Sequence, residues 1–340
     1  MAASDHITVG DVSCGRGELA KGRIRYGYDR DGSECTLPAL VLHGARPGPT
    51  LYLGALIHGN EPGGVEVIRR VMREFVQAGD LAGSIIAIPV QNPHAFKTST
   101  YHSLEDGLNA NRIFPGDASE SLTNRAVAAI WSQALEQSDY VIDMHCNARD
   151  SILFNFVRTG PTEAGAKSVE LSRAHGFTTI ISHAKRHGFG YEERLMGLLA
   201  DAALSAGKPT LTVELTPTYN WEEPALAGGA RGVTNVLKHL GMLAGEPERQ
   251  EGLPIVEEIL GPQLRVTPER GGFVQPLAEI GSWAETGDTL LLIRDPWGDV
   301  IEQVTSPASG YVLSYPHHGN HAAASGDTVV FVAPRFEGEL

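Results

Sequence analysis

Between residues 50 and 243, two patterns of apolar positions alternate along the chain, one typical of buried strands and one typical of amphipathic helices. Short, continuous apolar runs have the length and character of strands that are buried on both faces. The predicted strands are residues 50–57, 84–90, 140–144 and 210–215. Between these runs, apolar residues recur at three- and four-residue intervals, which is the pattern of an amphipathic helix. The predicted helices are residues 68–76, 126–134, 195–203 and 229–243. The alternation predicts an α/β sandwich with a mainly parallel sheet.

The pattern changes at residues 246–252, a polar stretch that reads as a linker. Beyond it, short runs rich in Val, Ile and Leu alternate with Gly and Pro and show no helical period. Such spacing predicts a small all-β domain. We therefore expect two domains, at residues 1–245 and 255–340. The sequences Gly287-Asp288-Thr289 and Gly326-Asp327-Thr328 echo each other, which predicts internal pseudo-symmetry in the second domain.

Composition narrows the class of protein. The chain has 340 residues, of which 42% are hydrophobic and 20% are charged, which predicts a substantial core. Lys and Arg number 27 against 41 Asp and Glu, so the formal net charge of −14 disfavours nucleic acid and anionic membranes as partners. No apolar run reaches the about 18 residues of a transmembrane helix, and the start lacks the features of a signal peptide. Three scattered cysteines argue against a disulfide scaffold. We expect a soluble, cytoplasmic protein.

The turn after the first predicted strand carries candidate metal ligands. His58 and Glu61 lie three residues apart there, and ligands of open α/β sheets bind beyond the carboxyl ends of strands. Imidazole nitrogen and carboxylate oxygen suit Zn²⁺. The pattern alone is weak, because His102 and Glu105 repeat it in a polar loop that no strand precedes. A hydrogen-bonded turn histidine is the alternative interpretation of His58.

A third candidate ligand, His145, ends another predicted strand. Asp143 projects to the same side of that strand, where its carboxylate can orient the imidazole. The alternative is that both side chains only satisfy backbone groups. His58, Glu61 and His145 together would leave a fourth position for water, which is typical of a catalytic rather than a structural zinc.

A zinc hydrolase also needs a base that does not bind the metal. Glu214 lies inside the otherwise apolar strand 210–215. Carboxylates are rarely placed in buried strands without a partner. We interpret Glu214 as a general base or acid, and a buried ion pair is the alternative.

In order along the chain, these residues resemble the zinc carboxypeptidase-like fold and, within it, the succinylglutamate desuccinylase/aspartoacylase family. The ordered matches are His58-x-x-Glu61, Asn111-Arg112, Asp143-x-His145 and Glu214. The most specific segment is Asp106–Gly116, with Asn-Arg-x-Phe-Pro-Gly after Asp-Gly. The matches cover about residues 50–217. The resemblance implies an αβα sandwich with a mixed, mainly parallel sheet, followed by a small, barrel-sandwich-like β domain.

The resemblance also implies roles for the matched residues. It makes His58, Glu61 and His145 the ligands of one zinc ion per subunit and Glu214 the general base. Asn111 and Arg112 would hold a substrate carboxylate, and the planar guanidinium of Arg112 suits bidentate pairing with such a group. An ordinary surface salt bridge is the alternative for Arg112.

One expected residue is missing. Relatives usually carry an arginine about eleven positions before the arginine of the Asn-Arg pair, where it can stabilise the oxyanion of the reaction. Tyr101 and His102 occupy that place here. Either could donate a hydrogen bond in its stead, another arginine could reach in, or the substrate could differ from the family norm. The candidate arginines are Arg158, Arg186 and Arg231.

The sequence thus predicts a zinc-dependent deacylase that cleaves the amide bond of a small N-acyl amino acid by a metal-activated water. Overall likeness favours the family branch that deacetylates acetylated diamino acids such as N-acetyl-diaminobutyrate. The alternatives are a carboxypeptidase or an esterase of the same fold, and a non-catalytic protein that binds a metal or ligand. We expect the β domain either to cap the active site or to form the interface of a homo-oligomer.

Overall fold

Five strands precede the first helix, strands and helices then alternate as far as residue 239, and beyond it the described residues form strands but no helix. The structure, a computed structural model, describes residues 5–148, 150–159, 162–183, 197–215, 221–316 and 321–338. The strands are β1 (His6–Val9), β2 (Val12–Gly15), β3 (Glu18–Tyr28), β4 (Glu34–His43), β5 (Arg46–Ala55), β6 (Ala82–Ile88), β7 (Tyr140–Cys146), β8 (Asp150–Ser151), β9 (Phe154–Thr159), β10 (Thr178–His183), β11 (Thr210–Leu215), β12 (Leu264–Val266), β13 (Gly272–Pro276), β14 (Trp283–Ala284), β15 (Thr289–Arg294), β16 (Val300–Thr305), β17 (Gly310–Tyr315), β18 (Ala322–Ala323) and β19 (Val330–Ala333). The helices are α1 (Gly63–Arg70), α2 (Pro93–Thr98), α3 (Leu122–Ile130), α4 (Glu163–His175), α5 (Leu199–Ser205) and α6 (Glu223–His239).

Eight strands form the central sheet, in the order β10-β9-β11-β7-β5-β6-β4-β3. The strands β11, β7, β5 and β6 run parallel to one another, as do β10 and β9. The strands β3 and β4 join antiparallel at one edge, and β9 is antiparallel to β11. The predicted mixed, mainly parallel sheet is confirmed, with its apolar central strands where the sequence places them.

Helices cover both faces of this sheet. On one face, α1, α4 and α6 pack together over a core that contains Val67, Val169 and Val233. On the other face, α3 and α5 pack with the amino-terminal strands over a second core, which contains Val127 and Leu199. The layers therefore form the αβα sandwich that the sequence predicts.

Several elements differ from their predicted bounds for local reasons. Strand β5 ends two residues early, because Leu56 adopts a left-handed conformation with φ of 52°. The helix predicted at residues 195–203 begins at Leu199, because Leu198 is extended; residues 195 and 196 lie outside the described residues. The last helix runs from Glu223 to His239 instead of 229–243, with a proline in its first turn. Prolines are favoured at that position of a helix.

The strands after residue 263 form two antiparallel sheets, β12-β19-β17-β14 and β16-β15-β13-β18. The repeated Gly-Asp-Thr sequence makes the same turn twice. Gly287 and Gly326 both have positive φ, and the carboxylates of Asp288 and Asp327 each accept a hydrogen bond of 2.8 Å from the backbone N–H three residues earlier. Side chains inside these sheets form a core of their own, around Leu290 and Val312.

The two parts of the chain also share structure. Strand β8, which lies shortly after β7, pairs with β17 of the carboxyl-terminal sheets. A separate apolar cluster joins Phe154 and Ile180 of the first part to Leu313 and Ala333 of the second. The division at residues 245 and 255 stays a prediction. Within the described ranges, no helix has the length and apolar character that a membrane span requires.

Candidate metal and active site

The candidate site lies at the carboxyl ends of three neighbouring strands, β11, β7 and β5. The left-handed Leu56 turns the chain off the end of β5, and His58 follows two residues later. Helix α1 then begins close to the sheet: a Cβ at Gly64 would lie 2.7 Å from that of Met144 and 2.8 Å from that of Ala55. Only glycine allows this approach, which holds the turn containing Glu61 against β7.

The three predicted metal ligands converge. Glu61 Oε1 lies 3.0 Å from Nδ1 of His58, and its Oε2 lies 2.9 Å from Nδ1 of His145. All three side chains are buried, and one ligand atom from each lies within 4.8 Å of the other two. The backbone N–H of Cys146 also donates to Glu61 Oε2, at 3.3 Å.

The outer nitrogens of both imidazoles are held by oxygen atoms of the protein. Nε2 of His58 lies 3.3 Å from Oδ1 of Asn109, and Nε2 of His145 lies 2.9 Å from Oδ2 of Asp143. A carboxylate can only accept, and both nitrogens of His145 face one, so the metal-free imidazole carries a proton on each. Asp143 keeps the proton on Nε2, so Nδ1, on the side of Glu61, is the atom that can bind a metal once its proton is lost. Tetrahedral Zn²⁺ with bonds of about 2.0 Å needs ligand atoms about 3.3 Å apart, which this donor set can provide after small shifts.

Burial and close charges shift the pKa values of the three ligands in the metal-free chain. Burial alone would raise the pKa of Glu61, but the imidazoles of His58 and His145 lower it to about 2. Burial opposes the charged form of His145, but Asp143 and Glu61 raise its pKa well above the usual value. Burial lowers the pKa of His58, and the charge of Arg112 adds to this. Metal binding must therefore displace a proton from His145.

Glu214 stands beside the three ligands. It lies on β11 in register with His145 on β7, and the two strands are parallel. Burial raises the pKa of Glu214 to about 8; the carboxylates of Glu61 and Asp143 add to this, and His145 opposes it. Among the described residues it has no ion-pair partner, so the alternative of a buried ion pair finds no support there. A raised pKa next to a metal site is typical of a catalytic acid or base.

Tyr101 and His102 lie over the His58 side of the site. The ring of Tyr101 stacks on the imidazole of His58, with centroids 3.7 Å apart and planes 21° apart. His102 is exposed and its ring makes a T-shaped contact with that of Tyr101, at 5.2 Å between centroids. Tyr101 therefore covers a candidate metal ligand, and His102 contacts the site through Tyr101.

Asn111 and Arg112 also face the site, in different ways. Asn111 is buried with its Nδ2 3.3 Å from Nε2 of His145, and its Oδ1 accepts a hydrogen bond of 2.8 Å from the N–H of Leu199. Arg112 donates to the carbonyl of Asn111 at 2.6 Å; its charge adds to the lowering of the pKa of His58 by burial and opposes the rise that burial gives to the pKa of Tyr101. The guanidinium is therefore close enough to act on the site electrostatically.

The segment Asp106–Gly116 is shaped by its packing against neighbouring elements. Asp106 accepts hydrogen bonds from the backbone and hydroxyl of Thr123, at 3.1 and 2.9 Å, in the first turn of α3. A Cβ at Gly116 would lie 2.4 Å from the backbone nitrogen of Ala128 on the same helix. These contacts fix both ends of the segment, and so the position of the Asn-Arg pair between them.

Of the other candidate arginines, the two that the structure describes show no contact with the site. Arg158 is buried and bound to both carboxylate oxygens of Asp201, at 2.8 Å each, and to the hydroxyl of Ser182. Arg231 lies on α6, where its charge acts on Glu248. Arg186 lies outside the described residues.

Three residues near the predicted ligands could not be identified from the sequence. Asn109 lies inside the segment Asp106–Gly116. The one sequence feature that could have marked it is the tendency of asparagine to cap a helical turn, as it does here for a short 3₁₀ turn. Gln91 donates to Oδ1 of Asp143 at 2.8 Å, and Tyr52 donates to Oε1 of Gln91 at 2.9 Å. No local pattern marks either residue, because their contacts cross between strands that lie far apart in sequence.

Comparison with known proteins agrees with this geometry. Residues 47–240 match the sequence model of the succinylglutamate desuccinylase/aspartoacylase catalytic domain. The chain belongs to this family. The predicted fold and the predicted hydrolase acting on the amide bonds of N-acyl amino acids are therefore confirmed.

Particular relatives are similar over nearly the whole chain. The N-alpha-acetyl-L-2,4-diaminobutyric acid deacetylase of Halomonas elongata is 26% identical over 291 residues, which are 84% of this chain and 82% of the relative. A succinylglutamate desuccinylase/aspartoacylase structure from Rhodobacter sphaeroides has a TM-score of 0.83 at 23% identity, covering 98% of this chain and 100% of that one. The product-bound ectoine utilization protein EutE (DoeB) of Ruegeria pomeroyi has a TM-score of 0.82 at 22% identity, covering 97% and 99%.

Proposed function

We propose that this protein is a zinc-dependent deacetylase of a small N-acetyl amino acid, with N-acetyl-2,4-diaminobutyrate as the leading candidate substrate. The proposal of that substrate is supported by the Halomonas elongata relative, whose name gives this activity. The proposal of the chemistry is carried by one observation: Glu214 lies in register with His145, beside three converging ligand atoms.

The roles at the reacting centre follow from the donor set. One zinc ion per subunit, held by His58, Glu61 and His145, would polarise the amide carbonyl and lower the pKa of a water molecule. Glu214 accepts the proton of that water and delivers it to the leaving amine. Its pKa is about 8 in the metal-free chain, and the charge of a divalent cation nearby would lower that pKa and so favour the ionised form that a general base needs.

The remaining site residues bind substrate in this proposal. Arg112 pairs with the substrate carboxylate, and Asn111 contributes its Nδ2 donor, since its Oδ1 is bound to Leu199. Tyr101 and His102 are the candidate donors to the oxyanion in place of the missing arginine.

Asp143 orients His145. A cytoplasmic location and a homo-oligomeric state stay predictions.

The decisive experiment combines metal analysis with hydrolysis of a substrate panel. The panel contains N-acetyl-2,4-diaminobutyrate, N-acetylaspartate, N-succinylglutamate, a dipeptide and an ester. We expect one zinc ion per chain and preferred hydrolysis of the acetylated diamino acid. Preferred cleavage of the dipeptide or the ester would contradict the proposed substrate. A protein that binds no zinc would contradict the proposed mechanism.

Two variants separate metal binding from proton transfer. His145→Ala should lose both zinc and activity, because only two ligands remain. Glu214→Gln should retain zinc and lower kcat by at least roughly 100-fold, the lower range for a general base. Glu66→Gln is the matched control, since Glu66 is a buried carboxylate that pairs with Arg69 and Arg70 on α1. A Glu214→Gln enzyme within about threefold of wild type would remove Glu214 from the mechanism.

A further inference from the structure

A buried hydrogen-bonded chain runs from the middle of the sheet to the metal site. Tyr52 donates its hydroxyl to Oε1 of Gln91 at 2.9 Å, and Nε2 of Gln91 donates to Oδ1 of Asp143 at 2.8 Å. The other carboxylate oxygen of Asp143 lies 2.9 Å from Nε2 of His145. Tyr52 and Gln91 are completely buried and Asp143 is 1% exposed, so solvent does not take part in this chain.

The sheet leaves a space for the Gln91 side chain. Gly54 on β5 lies in register with Asp143 on β7 on one side and with Ile88 on β6 on the other. A Cβ at Gly54 would lie 2.7 Å from Nε2 of Gln91 and 2.9 Å from its Cδ. The amide therefore occupies the volume that a side chain on β5 would fill, and it crosses β5 to reach Asp143.

The backbone holds Gln91 at this place. Its N–H donates to the carbonyl of Ala55 at 3.0 Å, and the N–H of Asn92 donates to the carbonyl of Leu56 at 3.0 Å. These two bonds tie the loop after β6 to the end of β5, immediately before His58. The side-chain amide is thus fixed to the same backbone turn that carries the first metal ligand.

Donor and acceptor chemistry allows one orientation of each group. A carboxylate accepts and donates none, so the NH₂ of Gln91 must face Asp143. Its Oε1 then faces Tyr52, whose hydroxyl must donate. With Oδ1 engaged by Gln91, Asp143 presents Oδ2 to Nε2 of His145, and Nδ1 of His145 is directed at Glu61.

We propose that Gln91, oriented by Tyr52, is a positioning residue that holds Asp143 and, through it, sets the metal-binding geometry of His145. The proposal rests on the metal site of the proposed function. Outer partners of metal ligands typically contribute 10- to 100-fold to metal affinity. In this protein, Gln91 also contributes to metal affinity, one hydrogen bond beyond the carboxylate of Asp143. Without Gln91, the buried Asp143 loses the contact that fixes the rotation of its carboxylate.

The first test measures the zinc Kd of chelator-treated protein by competition with a chromophoric chelator. Gln91→Met keeps the length of the side chain without its hydrogen bonds, and we expect the Kd to rise roughly 10- to 100-fold. Tyr52→Phe removes only the hydroxyl and should raise the Kd by a smaller factor. Gly54→Ala should act in the same direction by displacing the amide. Tyr315→Phe is the control, since it removes a buried hydroxyl bound to Ala278 in the carboxyl-terminal sheets and should leave the Kd unchanged.

The second test exchanges donor and acceptor between the two partners. In Asp143→Asn, a carbonyl kept towards His145 leaves an NH₂ group facing Gln91. The Gln91 amide must then either oppose it with its own NH₂ group or turn over and leave the buried hydroxyl of Tyr52 without its acceptor, and we expect a weakened zinc affinity either way. Adding Gln91→Glu restores a donor–acceptor pair, keeps the total charge, and still accepts from Tyr52. The double variant should bind zinc at least tenfold more tightly than Asp143→Asn alone. A role limited to filling space predicts no such recovery.

The outcomes separate this inference from the proposed function. Wild-type protein that binds no zinc would contradict the proposed function. Wild-type protein that binds zinc, with Gln91→Met within twofold of its Kd, would overturn the inference alone. If Gln91→Met does not fold, as judged by circular dichroism of the metal-free protein, the double variant decides: a Kd no better than that of Asp143→Asn overturns the inference.

Discussion

At the scale of single residues, Arg112 acts on the site mainly through its charge. Burial lowers the pKa of His58 and raises that of Tyr101, and the charge of Arg112 shifts both downwards; its guanidinium also donates a hydrogen bond to the carbonyl of Asn111. If its guanidinium pairs with a substrate carboxylate, amidated substrates should be poorer by roughly 10- to 150-fold in kcat/KM, the worth of a charge-assisted hydrogen bond. Arg112→Ala should erase that preference by slowing the free acid most. Equal rates for the free acid and the amide in wild type would contradict the role.

Tyr101 and His102 can be distinguished by their contacts. Tyr101 stacks directly on His58, whereas the ring of His102 makes a T-shaped contact with that of Tyr101. We therefore expect Tyr101→Phe to lower kcat for free-acid and amidated substrates alike, because an oxyanion donor acts on the reacting bond. His102→Ala should have the smaller effect. Steady-state kinetics on both substrate types provide the measurement; two variants with unchanged kcat would exclude this pair as oxyanion donors.

The sequence could predict the residues at strand ends and could not predict the residues between strands. His58, Glu61 and His145 were recognisable because each follows or ends an apolar run, and such ends meet at one edge of a parallel sheet. Gln91 and Tyr52 carry no such mark. Their partners lie 52 and 39 residues away along the chain, so their role depends on strand order and on the space above Gly54.

At the scale of elements, the packing of α4 against α6 buries a histidine. His175 ends α4, and a Cβ at Gly232 on α6 would lie 2.4 Å from its Nε2. Burial lowers the pKa of His175 to about 3. The unfolded chain, with an ordinary pKa near 6.5, binds this proton more readily. The stability that the neutral imidazole contributes is therefore present above pH about 6.5 and is lost as the pH falls towards 3.

This pH dependence gives a measurable slope. Below pH about 6.5, His175 alone should lower the free energy of unfolding by about 1.4 kcal/mol per pH unit. His175→Gln remains neutral and can still accept from Asn155, so its slope between pH 6 and pH 4.5 should be shallower by that amount. Urea unfolding at several pH values supplies the comparison. Parallel slopes for wild type and variant would show that His175 is protonated in the folded state.

Among the elements, the sequence could predict those whose side chains are uniformly apolar or regularly spaced. Strands β5, β7 and β11 are of this kind. Strand β9 buries Asn155, whose Nδ2 donates to Ser172, and Arg158, which pairs with Asp201, and helix α4 buries Ser168 and Ser172 in place of larger apolar residues. Hydrophobic periodicity cannot reveal an element whose buried face is polar, so both were missed.

At the scale of the whole molecule, Leu260 joins the two parts of the chain. It is completely buried and pairs with Ile180 of β10 and with Arg335 beyond β19. Because this bridge, the shared apolar cluster and the β8–β17 pairing all connect the parts, we expect one cooperative thermal transition. Leu260→Ala should lower the free energy of unfolding by about 2–5 kcal/mol and separate the transition into two.

Calorimetry with a second leucine variant tests this coupling. Leu290→Ala removes the same volume from the core of the carboxyl-terminal sheets alone and should lower the transition temperature without splitting it. Two well-separated transitions in the wild type would show instead that the predicted domains at residues 1–245 and 255–340 unfold independently.

The side chains of the candidate metal site are held in place by the protein itself. Glu61 bridges both imidazoles, and Asn109 and Asp143 hold their outer nitrogens. An entering ion therefore finds its ligands already assembled, unlike the small zinc modules that fold only around their ion. Two nitrogens and a carboxylate accept several divalent metals, and in such sites copper binds more tightly than zinc. The ion recovered from a preparation therefore depends on the metals in the growth medium as well as on the site, so the zinc test of the mechanism requires protein that has been offered zinc.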